Sequence, residues 1–126
     1  MNDSAQPCVL SVDIGTSSVR AMIFTIHGTI LHRTQLTYTT IKPAPLQEEQ
    51  EPQLVKTKTF LAISESLAFS RKMGISLLGI GFSSQMYGIF PVDGQGKPLG
   101  NSILWSESRS IEEANAIKKS SLGKQL

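Results

Sequence analysis

The stretch Val9-Leu10-Ser11-Val12-Asp13-Ile14-Gly15-Thr16-Ser17-Ser18-Val19-Arg20 decides the reading of this chain. It opens as an apolar run rich in β-branched residues, as a buried strand does. It ends in a carboxylate, a glycine and three hydroxyl residues, and a second apolar run, 21–26, follows at once. The pattern predicts a β-hairpin with a short polar turn. Gly15 lets the backbone approach a ligand closely and is free to take a positive φ. Thr16, Ser17 and Ser18 put hydroxyl and N–H donors into one tight turn, a shape that can hold an anion such as phosphate. Asp13 stands at the strand end, where a carboxylate can hold Mg²⁺ directly or through water. Arg20, just past the turn, is placed to neutralise charge on a transferring phosphoryl group. The same composition also suits an ordinary tight turn, and the stretch alone leaves both readings open. No G-x-x-x-x-G-K-[ST] loop occurs in the chain, and Gly94-Gln95-Gly96-Lys97 has neither its spacing nor its closing hydroxyl.

Outward from the hairpin, His27-Gly28 signals a two-residue turn, and 29–40 reads as a third strand, completing an antiparallel meander. His27 and His32 read as a turn residue and a strand-surface residue. Lys42-Pro43-Ala44-Pro45 breaks regular structure. Residues 47–52 then read as a helix start, with Glu48, Glu49 and Glu51 near the positive end of the dipole and Pro52 in the first turn. The helix runs to about residue 73, with Phe60, Ile63 and Leu67 on one apolar line and Leu54, Leu61 and Ala68 on the next. Gly74 is its C-cap, with Arg71 and Lys72 in the last turn. A fourth strand over 75–82, apolar enough to be central, returns through this crossover in parallel pairing. Ser83-Ser84-Gln85-Met86-Tyr87-Gly88 leaves its C-terminal end, the side on which open α/β sheets bind ligands. Residues 89–92 are strand-like, 93–98 form a turn headed by Asp93-Gly94, and 103–105 are a short apolar piece. Residues 110–119 read as a polar helix capped by Ser110 with Glu113 three residues on, and 120–126 as a loop.

The chain has 126 residues, enough for one domain with a real core. Its 40% hydrophobic and 17% charged residues are an ordinary globular balance. A net charge of +2 argues against nucleic acid or an acidic membrane surface as partner. Cys8 is the only cysteine, which excludes an internal disulfide framework and a cysteine metal site. The first seven residues are polar and lack an apolar signal core, and no run approaches membrane-spanning length. The cytoplasm is the expected compartment.

Four pieces together resemble the FGGY carbohydrate kinases, the group that contains glycerol kinase, xylulokinase and gluconokinase. Asp13-Ile14-Gly15-Thr16-Ser17-Ser18-Val19-Arg20 is similar to that family's opening phosphate hairpin. Glu49-Gln50-Glu51-Pro52 resembles its Glu-Gln-Asp-Pro helix approach. Ser83-Ser84-Gln85-Met86-Tyr87-Gly88 resembles its sugar-contacting Gln-Met-His-Gly loop. Asp93-Gly94-Gln95-Gly96-Lys97-Pro98-Leu99, then Ile103-Leu104-Trp105 and Arg109, resemble its Asp-x-x-Gly-Lys-Pro turn and Ile-Leu-Trp segment. Their order and spacing run over nearly the whole chain.

The resemblance implies an α/β, RNase H-like domain of the actin-like ATPase type. Its mixed sheet would open with a three-strand antiparallel meander and continue with one covering helix and a parallel fourth strand. It implies transfer of the γ-phosphoryl group of ATP, with Mg²⁺, to a sugar or polyol hydroxyl. Carried over, Asp13 would place the metal, and Gly15, Thr16, Ser17, Ser18 and Arg20 would hold the nucleotide phosphates. Gln85, Met86 and Tyr87 would meet the sugar, with Trp105 against its carbon face. Tyr87 replaces the usual histidine, and Ser106-Glu107-Ser108-Arg109 replaces a common Asn-Asp-x-Arg. The family's catalytic aspartate falls beyond Leu126, so no catalytic general base is expected within the chain, and the chain alone should not turn over. Residues 1–126 would be the N-terminal part of the first kinase domain, an incomplete fold carrying the sugar and phosphate half-site, with the second domain absent. Apolar surface left uncovered on the sheet leaves room for a homodimer. Two other classes stand beside this reading: a non-sugar ATPase of actin or Hsp70 type, and a non-catalytic module of the same fold. The residues do not name the sugar; ketopentose, gluconate and other polyols all remain open.

Overall fold

A computed structural model describes residues 7–121 and 123. In chain order the elements are β1 (Cys8–Ile14), β2 (Ser18–Thr25), β3 (Ile30–Thr37), β4 (Glu49–Gln50), α1 (Pro52–Lys72), β5 (Leu77–Ser84), β6 (Ser102–Ile103) and α2 (Ile111–Lys119). The polar tail at 1–6 and most of the closing loop lie outside the described residues.

The main sheet has the order β3-β2-β1-β5. β1 pairs antiparallel with β2 from Cys8↔Thr25 to Ile14↔Val19, and β2 pairs antiparallel with β3. β5 runs parallel to β1. The mixed sheet, meander and covering helix expected from the sequence are therefore present. Period-two alternation makes the core: Cys8, Leu10 and Val12 of β1 and Val19, Ala21 and Ile23 of β2 are all fully buried. His32 is not a strand-surface residue; its ring stacks on Phe69 of α1 with centroids 4.2 Å apart.

α1 lies over β2 and β3 and reaches β1. The stripe that meets the sheet most closely is Thr59, Ala62, Ser66 and Ser70, not the two lines of large residues read from the sequence. Small side chains let the helix approach, while Leu54, Val55, Ile63, Leu67 and Phe69 pack on its flanks. Phe60 and Leu61 turn outward and are exposed. Two of the hydroxyls bond back to the helix itself, Thr59 to the Val55 carbonyl at 2.8 Å and Ser70 to the Leu67 carbonyl at 2.9 Å. The C-terminus closes as a Schellman motif on Gly74, whose φ is 64°. There the Ile75 N–H donates to the Ser70 carbonyl at 2.9 Å and the Gly74 N–H to that of Arg71 at 3.3 Å.

Three further expectations need correction. β5 is an edge strand among the described residues and not a central one, because only β1 pairs with it and α1 leaves it uncovered. Ile80 and Phe82 are in register with the buried Leu10 and Val12, so they lie on the core face, yet Phe82 is 64% exposed. The glutamates at 48 and 49 do not serve the α1 dipole: the helix starts at Pro52, and its first turn holds no acidic side chain. Glu49 belongs to β4, which pairs antiparallel with β6. At α2, Ser110 makes no side-chain cap bond, so the capping box read there does not form. Residues 89–92 contribute single bridges, Ile89↔Ile103 and Val92↔Pro98.

Candidate functional site

The turn between β1 and β2 is closed by its own backbone, the Gly15 N–H donating to the Ser18 carbonyl at 3.0 Å. Gly15 does not take a positive φ. Its constraint is space: a Cβ there would stand 3.3 Å from the Ser18 carbonyl oxygen. Tyr38, just past β3, braces the turn twice. Its hydroxyl donates to the Gly15 carbonyl and its N–H to the Ser17 carbonyl at 3.0 Å. Burial pushes the Tyr38 phenol above its usual 10.0, Asp13 adds to this and Arg20 opposes it, so the group stays a donor. The Thr16 and Ser17 N–H groups donate to no acceptor among the described residues. Ser18 does not join them: it is buried at the start of β2, and its hydroxyl accepts from Gln35 at 3.4 Å.

Asp13 and Arg20 are register partners across β1 and β2, and their side chains pair at 2.7 Å. Both are about one-third exposed. Among the described residues no three His, Cys, Asp or Glu side chains gather to hold a metal. Asp13 is a single hard oxygen donor, which suits Mg²⁺ bound jointly with a phosphate, since that ion commonly takes only one or two protein carboxylates.

The 85–88 loop begins where β5 ends. The Gln85 N–H donates to the Ile14 carbonyl at 2.8 Å, which brings the loop to the turn. Beneath both lies Gln50 of β4, 2% exposed. Its Nε2 donates to the Thr16 carbonyl, and its Oε1 accepts from Gln85 Nε2 at 2.8 Å. From the other side the Trp105 indole N–H donates to the Thr16 hydroxyl at 3.3 Å. Trp105 is 60% exposed, so it is not part of the core. The structure thus joins Thr16, Gln85 and Trp105. Met86 and Tyr87 stand exposed on the loop without hydrogen-bond partners among the described residues, Tyr87 at a φ of 60°. A bulky side chain held in that region carries backbone strain.

Two carboxylates clasp the segment that carries Trp105. Glu49 pairs with Arg109 at 2.7 Å and accepts from Asn101 at 3.0 Å. Glu48 pairs with Lys42 at 2.8 Å and accepts from the Ser106 hydroxyl. The Arg109 bond, then that of Asn101, holds the Glu49 carboxyl below its usual range, and Lys42, then Ser106, does the same for Glu48. Glu107 faces Arg109 as well. A pocket of about 310 Å³ beside Gln85 and Gln50 is lined by Ile14, Val55, Thr59, Phe60 and Phe90.

Tyr38 was not singled out by sequence reasoning, and Gln50 entered only within the Glu49-Gln50-Glu51-Pro52 resemblance, with no role of its own. The order and spacing of the hairpin, the helix approach, the 85–88 loop and the 103–109 segment extend along the chain, and the N-terminal domain profile of the FGGY family of carbohydrate kinases matches residues 8–126. The chain belongs to the FGGY family. This FGGY domain is 31% identical over 113 residues to the xylulose kinase of Staphylococcus xylosus, covering 88% of this chain and 23% of that one. It is 30% identical over 115 residues to the glycerol kinase of Burkholderia cenocepacia, covering 90% and 23%. Among solved structures, Plasmodium falciparum glycerol kinase with ADP superposes with a TM-score of 0.81 at 22% identity, over 90% of this chain and 23% of that one. At that identity the likeness shows the actin-like fold alone. The FGGY domain spans 23% of the length of the curated relatives it matches.

Proposed function

We propose that this FGGY domain supplies the phosphate and substrate half-site of an ATP-dependent kinase acting on a hydroxyl of a small sugar, sugar acid or polyol. The observation that carries the reading is the junction of Thr16 with Gln85 through Gln50 and with Trp105 directly: a turn suited to phosphate and a loop suited to hydroxyls meet at one place. In this reading the Thr16 and Ser17 N–H groups, which have no acceptor among the described residues, would cradle phosphate oxygens, with Gly15 keeping the turn tight. Asp13 would hold Mg²⁺, which would supply charge neutralisation on the phosphates, and Arg20 beside it would add a positive charge at the same place. Ser18 supports the turn from behind. Gln85 directs a substrate hydroxyl, Trp105 offers its face to the carbon skeleton, and Met86 and Tyr87 border the opening.

In this reading neither described aspartate is the general base: Asp93 accepts from the Gln95 and Lys97 N–H groups in a surface turn, and Asp13 pairs with Arg20. Abstraction of the hydroxyl proton needs a carboxylate within hydrogen-bond reach of the substrate. That group belongs, in this reading, to a second domain, with residues 1–126 forming the first part of domain one.

Trp105, the only tryptophan, reports the test. Adding D-xylulose, D-gluconate or glycerol to the purified chain should change its fluorescence saturably for at least one of them, and Gln85→Ala should abolish the change. A chain blind to all three, with ATP and Mg²⁺ present, would count against a carbohydrate ligand. Coupled ADP-release assays on the same samples should stay at the buffer rate; sugar-dependent release abolished by Asp13→Ala would place the base within these residues.

A further inference from the structure

The amide pair beneath the turn and the loop has only one consistent polarity. The Thr16 carbonyl oxygen can only accept, so the Gln50 atom facing it is Nε2. Gln50 Oε1 then faces Gln85, whose facing atom must be Nε2 in turn. One acceptor is left over: Gln85 Oε1 is buried and has no donor among the described residues. A carboxamide as enclosed as that of Gln50 is costly unless its donors and acceptors are used. A methionine or leucine would fill the same volume without that cost, so packing alone does not require glutamine here.

We propose that Gln50 is a positioning residue: through one buried carboxamide it locks the Thr16 turn to the Gln85 loop and fixes the orientation of the Gln85 amide beside the sugar. The inference rests on the carbohydrate-kinase reading for the sugar, and on the hydrogen bonds alone for the lock. A lock between two ligand-contacting segments also makes them respond together. Whatever shifts the turn reorients the Gln85 amide, and by linkage the loop acts back on the turn equally.

The lock is read by NMR on the isotope-labelled 126-residue chain. In the wild type, a coupling across the hydrogen bond should connect Gln50 Nε2 with the Thr16 carbonyl carbon, and its absence overturns the proposal without any variant. Gln50→Met should move the Gln85 carboxamide signals to the positions of the exposed Gln53 and Gln95, and move the Ser17 N–H, whose peptide carries the Thr16 carbonyl. Gln50→Glu keeps an acceptor for Gln85 but has no donor for Thr16, so it should spare the Gln85 signals and shift Ser17. Folded Gln50→Met protein with both sets at wild-type positions means a packing role and overturns the lock. If Gln50→Met does not fold, the Gln50→Glu pattern decides, with release of Gln85 and an unmoved Ser17 as the overturning result. A D-xylulose titration then separates the two readings. Gln50→Met should bind roughly tenfold more weakly, as expected when one hydrogen bond is misdirected. Equal affinity would overturn the positioning role. A wild-type chain that binds no sugar would overturn the substrate reading and leave the measured lock standing.

Discussion

At the scale of single residues, the turn of 13–18 was legible because its chemistry is contiguous: a carboxylate, a glycine and hydroxyls in one short run. Tyr38 and Gln50 were not, because what makes them matter is contact across 23 and 34 residues of chain. In sequence Tyr38 is one more aromatic in a threonine-rich strand, and Gln50 is one polar residue among glutamates. Neither carries a local sign of its partner. Tyr38 gives the direct test of that bracing. Tyr38→Phe keeps the ring in the core and removes only the bond to the Gly15 carbonyl, so it should cost about 1 kcal/mol. Urea unfolding would show a lower midpoint with an unchanged slope. An unchanged midpoint would mean that the Gly15 carbonyl finds water as readily as the phenol.

At the scale of elements, strands and helix were legible from apolar periodicity, which is a local property. What periodicity could not give was which face of α1 goes inward. Of the two lines of large residues, Leu54, Ile63 and Leu67 pack against the core while Phe60 and Leu61 stay exposed, and the most deeply buried stripe between them is the small-residue one of Thr59, Ala62, Ser66 and Ser70. The position of β5 was also misread: an apolar strand looks central whether or not its neighbour is present. The β4–β6 pair carries a pH prediction. The Glu49 carboxyl is depressed below 4.5 by Arg109 and Asn101, so its contribution to stability is complete above that value and is lost as pH falls through the depressed value. Trp105, which lies between Asn101 and Arg109 in sequence, should report that loosening as an emission change below pH 4.5. Glu49→Gln should lack the transition. A variant that titrates like wild type would move the effect to Glu48, which is depressed in the same direction.

At the scale of the molecule, the sheet presents part of its core face to solvent. Leu78, Ile80 and Phe82 are 66%, 46% and 64% exposed on one strand, beyond the reach of α1. Apolar surface gathered in this way favours association. Sedimentation of the chain should show a mass that rises with concentration, and Phe82→Ser should lower that rise while leaving the unfolding midpoint nearly in place, since the ring is already mostly wet. A mass independent of concentration in both would show that the strip is tolerated as it stands. The topology has a temporal side as well. The meander closes through neighbouring hairpins, whereas β5 joins β1 only after the whole of α1 has intervened, and contacts separated so far in sequence close late and open early. The turn bearing Thr16 is therefore expected to assemble early, and the loop bearing Gln85 late. A ligand touching both would fasten the late strand to the early ones. Its signature would be slower amide hydrogen exchange along β5 than in the ligand-free chain, with β2 hardly changed, so that binding would be visible as the borrowed rigidity of a single edge strand.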